Sequence, residues 1–181
     1  IAVIEQGRIS QLHNYGHRDK ANTLDVNDQT MFQAASMSKL AAALLVTEAD
    51  RNGYLNITDS VSEIASRFPN STLDKWIDKK FKTATEESYT DDLTLKKLMN
   101  HSAGLDTHSI GTQMPGILKT IDGIILGNIL DPLNNGVHPM WRPGISYSYS
   151  GGGYTVLEHI LELETGESFR VFGNRELLDH V

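Results

Sequence analysis

Apolar and polar residues alternate at the N-terminus of the chain and then give way to helical spacing. Two alternating segments, Ala2–Glu5 and Arg8–Leu12, flank a Gln6-Gly7 pair that is typical of a two-residue turn between paired strands. We therefore predict an N-terminal β-hairpin. From Ser36 to Arg51 the spacing changes to that of a helix, alanine is abundant, and Asn52-Gly53 follows as a stop signal.

Further helices are predicted downstream, separated by polar segments that are rich in proline or glycine. A two-stranded hairpin is marginally stable by itself, so one hairpin beside several helices indicates that further strands are missing. The predicted helices are Leu73–Phe81, Leu93–Asn100 with Thr94 opening it, Ile117–Leu130 as one apolar helix or two short ones, Tyr154–Glu164 and Phe169–His180. The segment 57–66 has a mixed pattern, and residues 16–30, 83–92, 105–116 and 131–144 are predicted loops.

Composition narrows the classes of protein that the chain could represent. The 181 residues include 16 lysines and arginines against 23 aspartates and glutamates, a net charge of −7. A nucleic-acid-binding protein needs a basic surface, so this charge argues against that class. No apolar run approaches the roughly 18 residues that a membrane span requires. Cysteine is absent, which excludes thiol catalysis and disulfides, and no histidine spacing indicates a metal site.

The first candidate for chemistry is an S-x-x-K sequence, Ser36 to Lys39, at the start of the predicted helix. A spacing of three places the serine hydroxyl and the lysine amine on one helical face, and the helix N-terminus offers backbone N–H groups to an oxyanion. The flanking residues make this an apolar helix, and on the buried face of such a helix the charged form of Lys39 would be disfavoured, so that a neutral amine could accept the serine proton. The alternative is a serine helix cap followed by a solvated lysine.

The second candidate is the segment 143–154, which is rich in tyrosine, serine and glycine. Three consecutive glycines, Gly151 to Gly153, at a loop-to-helix junction would allow the backbone to approach a ligand closely. Tyr149, next to a lysine or serine, could act as a general base. The alternative is a flexible tyrosine- and serine-rich turn that precedes a helix.

A third segment, Leu98–Leu105, contains His101 followed by a Ser-Ala-Gly turn. At the end of a helix a histidine interacts favourably with the helix dipole, and a glycine turn stops the helix. A catalytic Ser–His pair is the alternative, but this pattern favours a structural role for His101.

Taken in order, these three segments resemble motifs of the class C-like branch of the serine β-lactamase and penicillin-binding protein superfamily. The branch includes D,D-carboxypeptidases, D-aminopeptidases and β-lactamase-like esterases. The resemblance implies that Ser36 is the acylated nucleophile, that Lys39 activates it, and that Tyr149 is the base or proton relay of a Y-x-N motif. It also implies that the backbone N–H of Ser36 stabilises the oxyanion.

The chain departs from the family pattern at two places. Gly151 stands where the Y-x-N motif has its asparagine, so the resemblance assigns Gly151 to the substrate-binding position and favours an esterase or peptidase over efficient β-lactam hydrolysis. The third family motif, K-T-G or H-x-G, has no match, since Lys119-Thr120-Ile121 resembles it only in part.

The resemblance implies an α+β fold in which a mostly helical subdomain lies beside an antiparallel sheet. Residues 1–181 are expected to be the N-terminal part of such a domain, truncated at both ends, with the C-terminal sheet strands missing. The expected parts are a hairpin at 1–15, a nucleophile helix at about 36–52 and a helical subdomain at about 57–181. We expect this fragment alone to be poorly stable and inactive.

The expected activity is that of a serine hydrolase that forms an acyl-enzyme on an amide or ester, without a metal or organic cofactor. The substrate would be a small molecule or a peptidoglycan-like amide or ester, and the location periplasmic or extracellular by resemblance. One alternative is a β-lactam or peptidoglycan sensor that keeps the fold without turnover. Another is a non-catalytic helical domain with chance motifs.

Overall fold

The computed structural model describes residues 1–81, 89–107, 120–127 and 135–180. The chain divides into two compact units, Ile1–Ser36 and Met37–Val181. Several sequence predictions fall wholly or partly outside the described residues. They are the loops at 83–92, 105–116 and 131–144, both ends of the predicted helix Ile117–Leu130, and Lys119 of the partial third motif.

The first unit contains the predicted hairpin. Strand β1, Ala2–Glu5, pairs antiparallel with strand β2, Arg8–Leu12, and a bulge interrupts the register between Val3 and Ile4. Both turn residues have positive φ, +50° at Gln6 and +74° at Gly7, as a tight two-residue hairpin turn requires. The hairpin prediction is therefore confirmed.

A polar loop fills the rest of the first unit. The Asp19 carboxylate accepts hydrogen bonds from the Thr23 hydroxyl and from the backbone N–H groups of Thr23 and Leu24. An isolated antiparallel β-bridge pairs the backbone of His17 with that of Asp25. None of residues 1–36, all of which the structure describes, is buried. Hydrogen bonds rather than apolar burial therefore hold this unit.

The second unit is helical, with seven α-helices among its described residues. Most begin at a serine or threonine whose side chain accepts a hydrogen bond from the first turn, which satisfies an otherwise unpaired N–H group. The helices are α1 Ser38–Arg51, α2 Val61–Arg67, α3 Thr72–Trp76, α4 Leu95–Met99, α5 Ile121–Leu126, α6 Gly151–Thr165 and α7 Phe169–Glu176. Single turns of other helix types cover Ala35–Met37, Ile77–Phe81 and Leu178–His180.

The core of the second unit lies around α6, which packs against α1, α3, α4, α5 and α7. Trp76 is fully buried, and its indole N–H donates to the Val137 carbonyl at 2.8 Å. The ring of Phe81 meets the Trp76 ring edge-on, with 5.0 Å between the ring centroids. Apolar burial of this kind is the main stabilising contribution in a helical unit.

Three sequence predictions about helix boundaries need correction. The mixed segment 57–66 contains most of α2, which a capping box between Ser60 and Glu63 begins. The predicted helix Phe169–His180 ends at Glu176 and is followed by a short 3-10 turn. Helix α6 begins at Gly151 rather than at Tyr154.

The early start of α6 explains the run of glycines. The Ser150 hydroxyl caps the helix by accepting from the Gly153 N–H at 3.0 Å. A Cβ atom on Gly152 would lie 2.7 Å from the Val137 side chain and 2.8 Å from that of Thr107. The first turn of α6 therefore packs so closely on its neighbours that it has no room for a side chain at position 152.

Candidate active site

The S-x-x-K segment lies where the 3-10 turn leads into α1. Ser36 is exposed, belongs to the turn Ala35–Met37 and is the last residue of the first unit. Lys39 is the second residue of α1 and is half-buried. The first turn of α1 is therefore only partly covered. Leu40 is 70% exposed, because the buried positions of α1 begin only at Leu45.

Tyr149 lies beside Lys39, although the two residues are far apart in the sequence. The Lys39 Nζ atom is 4.9 Å from the centroid of the Tyr149 ring and 5.6 Å from that of the Tyr154 ring. A cation at this distance is attracted to the face of an aromatic ring. The structure thus brings together the two residues that the resemblance assigns to proton transfer.

His101 completes this cluster, which we call the aromatic cluster: His101, Tyr147, Tyr149 and Tyr154. The centroid of the His101 ring lies 4.4 Å from that of Tyr149, 5.2 Å from Tyr154 and 5.8 Å from Tyr147. Sequence reasoning gave His101 only a helix-ending role. Nothing in the local pattern indicates a contact with a segment more than forty residues away, so only the tertiary structure reveals it.

Burial sets the protonation of two members of the aromatic cluster. Burial first, and the nearby Lys39 cation second, lower the pKa of His101 below its ordinary value. Burial and the neighbouring Tyr149 raise the pKa of Tyr154, whose hydroxyl donates to the Met99 carbonyl at 2.9 Å. Both shifts favour the neutral form of the side chain. Tyr154 thus remains a hydrogen-bond donor that ties α6 to the end of α4.

Gly151 follows this cluster directly as the first residue of α6. The neighbouring Ser150 hydroxyl donates to the Thr107 carbonyl at 2.9 Å, and the Gly152 N–H donates to the same oxygen at 3.2 Å. These bonds fix the backbone around Gly151. With no side chain there, position 151 offers only backbone groups to a substrate, and its binding role stays a prediction.

No group of three or more histidine, aspartate or glutamate side chains within the described ranges is arranged to hold a metal ion. Over the same ranges, no helix combines the length and the apolar character that crossing a membrane demands.

Comparisons with known proteins place the chain in a family. It is 24% identical over 170 residues to PbpX of Bacillus subtilis (strain 168), which is named as a candidate penicillin-binding protein, and 25% identical over 169 residues to the teichoic acid D-alanine hydrolase of Staphylococcus aureus. These alignments cover 94% and 93% of this chain but only 36% and 35% of those proteins. The chain therefore spans about a third of the length of the relatives it matches.

A solved structure supports the fold. The crystal structure of FmtA from Staphylococcus aureus superposes with a TM-score of 0.63 at 23% identity, covering 98% of this chain and 43% of FmtA. The predicted fold class, a fragment of an α+β β-lactamase-like domain, is thereby confirmed. The Beta-lactamase family profile matches residues 1–180, and the chain belongs to that family.

Proposed function

We propose that the protein is a serine hydrolase that forms an acyl-enzyme on an ester or amide. The observation that carries this proposal is the position of Lys39 Nζ, 4.9 Å from the centroid of the Tyr149 ring. A hydrolase of this kind needs a group that removes a proton from the nucleophile and returns it to the leaving group. The lysine and tyrosine that the family resemblance assigns to that task are neighbours.

In the proposed reaction, the Ser36 Oγ atom bonds to the substrate carbonyl carbon while its proton passes to the deprotonated hydroxyl oxygen of Tyr149, whose negative charge the Lys39 cation stabilises. The tetrahedral intermediate then collapses, and the bond to the leaving group breaks. The leaving group takes that proton and departs as an alcohol or amine. Water next attacks the acyl ester and loses a proton through the same pair, so that Ser36 and a carboxylic acid are released. The Ser36 N–H is the proposed oxyanion donor.

Esters are the favoured substrate class. The glycine at position 151 leaves that position without the amide side chain that the family motif uses to orient substrate amides. An ester carbonyl is also more reactive than an amide, so it depends less on such orientation. The Staphylococcus aureus relative is named as a teichoic acid D-alanine hydrolase, which fits a cell-surface ester and an extracellular or periplasmic location.

Labelling by a fluorophosphonate or a fluorescent penicillin tests the nucleophile. We expect Ser36→Ala in the full-length protein to abolish labelling, because the acylated oxygen is removed. Ser38→Ala is the matched control, since Ser38 lies in the same motif at the first position of α1, and it should be labelled like the parent. Labelling of Ser36→Ala at the parent rate would overturn the assignment.

Turnover separates a hydrolase from a sensor. A hydrolase should release many equivalents of p-nitrophenol from simple p-nitrophenyl esters, whereas a sensor should stop after one acylation. A burst of one equivalent with no further release would replace the proposed function with that of a sensor.

A further inference from the structure

His101 holds the backbone on both sides of Tyr149. The carbonyl oxygen of His101 accepts a hydrogen bond from the Ser148 N–H at 2.8 Å. The Nδ1 atom of its ring accepts a second hydrogen bond from the Ser150 N–H at 3.1 Å. Tyr149 thus lies between two residues that are both bonded to His101.

The ring of His101 also contacts the side chain of Tyr149. The two ring centroids are 4.4 Å apart, and the ring planes meet at 33°. This distance is close for an aromatic pair, and such stacking restricts the rotation of the tyrosine ring. His101 therefore fixes Tyr149 through three contacts, two to the flanking backbone and one to the ring.

The backbone of His101 is itself in an unusual conformation. Its φ is +61°, in the left-handed region that few residues other than glycine adopt, although asparagine, aspartate and histidine are enriched there. In this conformation both the carbonyl and the ring of His101 reach the segment from Ser148 to Ser150. Residues held in such sparsely populated backbone conformations cluster at active sites.

From this geometry we propose that His101 is a positioning residue that holds Tyr149 beside Lys39 in the orientation needed for proton transfer. The inference rests on the proposed function, because Tyr149 has a proton to move only if the protein is a hydrolase of this kind. His101 acts through Tyr149 and takes no proton from the substrate itself.

We call the two backbone hydrogen bonds and the ring contact that His101 makes around Tyr149 the clamp. The clamp requires the neutral form of the His101 ring. Because Nδ1 accepts from the Ser150 N–H, the ring must be neutral with its proton on Nε2. Protonation would place an N–H on Nδ1 against the N–H of Ser150 and would break the contact. Burial and the Lys39 cation, which lower the pKa of His101, keep the ring in the neutral form.

The titratable groups that face the His101 ring come from three segments. Lys39 comes from α1, Tyr147 and Tyr149 come from the segment before α6, and Tyr154 comes from α6. Lys39 is the positively charged group among them, and it opposes a second positive charge on the ring. Acidification should therefore break the clamp only below the ordinary pKa of a histidine.

Two substitutions separate the contacts of the clamp. His101→Phe keeps a stacking ring but removes the Nδ1 acceptor, whereas His101→Asn keeps a side-chain acceptor and tolerates the left-handed backbone but removes the ring. We expect each variant to lower kcat for p-nitrophenyl esters by about 10- to 100-fold, the range that misplacement of a catalytic group produces, with KM changed less than about twofold. A His101→Phe variant with parental kcat would overturn the proposal.

The parent protein provides a test that does not depend on a variant folding. The acid limb of the kcat/KM–pH profile and the ¹⁵N NMR titration of the His101 ring, which both report the free enzyme, should give one shared pKa, below the ordinary histidine value. Two different values, or an NMR spectrum that places the neutral proton on Nδ1, would overturn the proposal.

The two proposals fail in distinguishable ways. Labelling that persists in Ser36→Ala removes the proposed function, and with it the catalytic role of the clamp. Labelling that Ser36→Ala abolishes, together with parental kcat in His101→Phe, leaves the hydrolase in place and removes only the positioning role of His101.

Discussion

In the hairpin unit, Ile1–Ser36, the strand residue Ile9 leaves 63% of its surface exposed, whereas in the helical unit Trp76 leaves none. Both residues belong to elements with apolar residues at regular spacing, yet only in the helical unit are such side chains buried in a core. The hairpin unit depends on backbone pairing and on loops such as the one around Asp19. Alternation along a chain therefore predicts the pairing of strands, but burial depends on what packs against them.

The largest expected contrast comes from deleting an aromatic side chain in the helical unit. Trp76→Ala should lower the free energy of unfolding of the full-length protein by about 3–5 kcal/mol, because it leaves a cavity beside Phe81 and an unpaired Val137 carbonyl. Urea unfolding followed by far-UV circular dichroism measures the change.

The control for Trp76→Ala is Ile9→Ala in the hairpin. An exposed side chain contributes little, so we expect a change within about 0.5 kcal/mol. A loss as large as that of Trp76→Ala would contradict the contrast between the units, since it would mean that β2 is covered in the full-length protein.

A matched pair of glycines gives a smaller and sharper test. Gly7 in the hairpin turn and Gly166 at the end of α6 have φ of +74° and +70°, and neither would bring a new Cβ within 4 Å of another residue. Alanine in this backbone conformation costs about 1–2 kcal/mol at either position. Gly166→Ala should lower the global free energy of unfolding by about 1 kcal/mol, because α6 is part of the core.

Gly7→Ala should leave that global value unchanged and speed amide hydrogen exchange only in β1 and β2. Mass spectrometry of exchange in the two variants measures both effects. Equal global losses would indicate that the hairpin and the helices unfold together, and the contrast between the two units would then not extend to their stability.

The smallest effect concerns two carboxyl groups whose pKa values shift in opposite directions. Burial, followed by the neighbouring Glu162, raises the pKa of Glu158 in α6, whereas hydrogen bonds, that from the Leu24 N–H first, lower the pKa of Asp19. A raised folded-state pKa means that stability falls as the pH rises through it. A lowered one means that stability is present above the ordinary value and is lost on acidification.

Glu158→Gln should therefore raise the Tm at pH 7, where the parent carries a charged carboxylate, and should have no effect at pH 4, where that carboxyl group is protonated. Asp19→Asn should instead speed hydrogen exchange at Thr23 and Leu24 at pH 7. A lower Tm for Glu158→Gln at pH 7 would show that the Glu158 carboxylate stabilises the fold rather than opposing it.

Turn and helix-cap residues in the sequence were sufficient to predict the elements whose ends they determine. The turn at Gln6-Gly7 predicted the hairpin, and Thr94 predicted the start of α4. The capping box that begins α2 was also present in the sequence, at Ser60 and Glu63, and the mixed apolar pattern around it obscured the helix. The start of α6 was missed because glycine is a poor helix former, and tertiary packing rather than propensity determines residues 151–153 there.

For the candidate site too, the sequence predicted which residues matter but not how they contact one another. The motifs identified Ser36, Lys39 and Tyr149 as candidate catalytic residues, and the structure places Lys39 and Tyr149 side by side. Lys39 is half-buried, and the pattern of α1 does not reveal that its fully buried positions begin only at Leu45. The contacts of His101 could not be predicted, since its bonds to the backbone beside Tyr149 join segments that no sequence spacing connects.

Gly152 has a consequence for anyone who builds a library of variants of this protein. Its neighbours are side-chain atoms of Val137 and Thr107 in direct contact range of any Cβ, so randomising position 152 would yield mostly clones that cannot assemble the start of α6. Gly7 and Gly166 face open space, and asparagine or aspartate there would be tolerated. A library can therefore include asparagine and aspartate at those two glycines but should keep glycine at position 152.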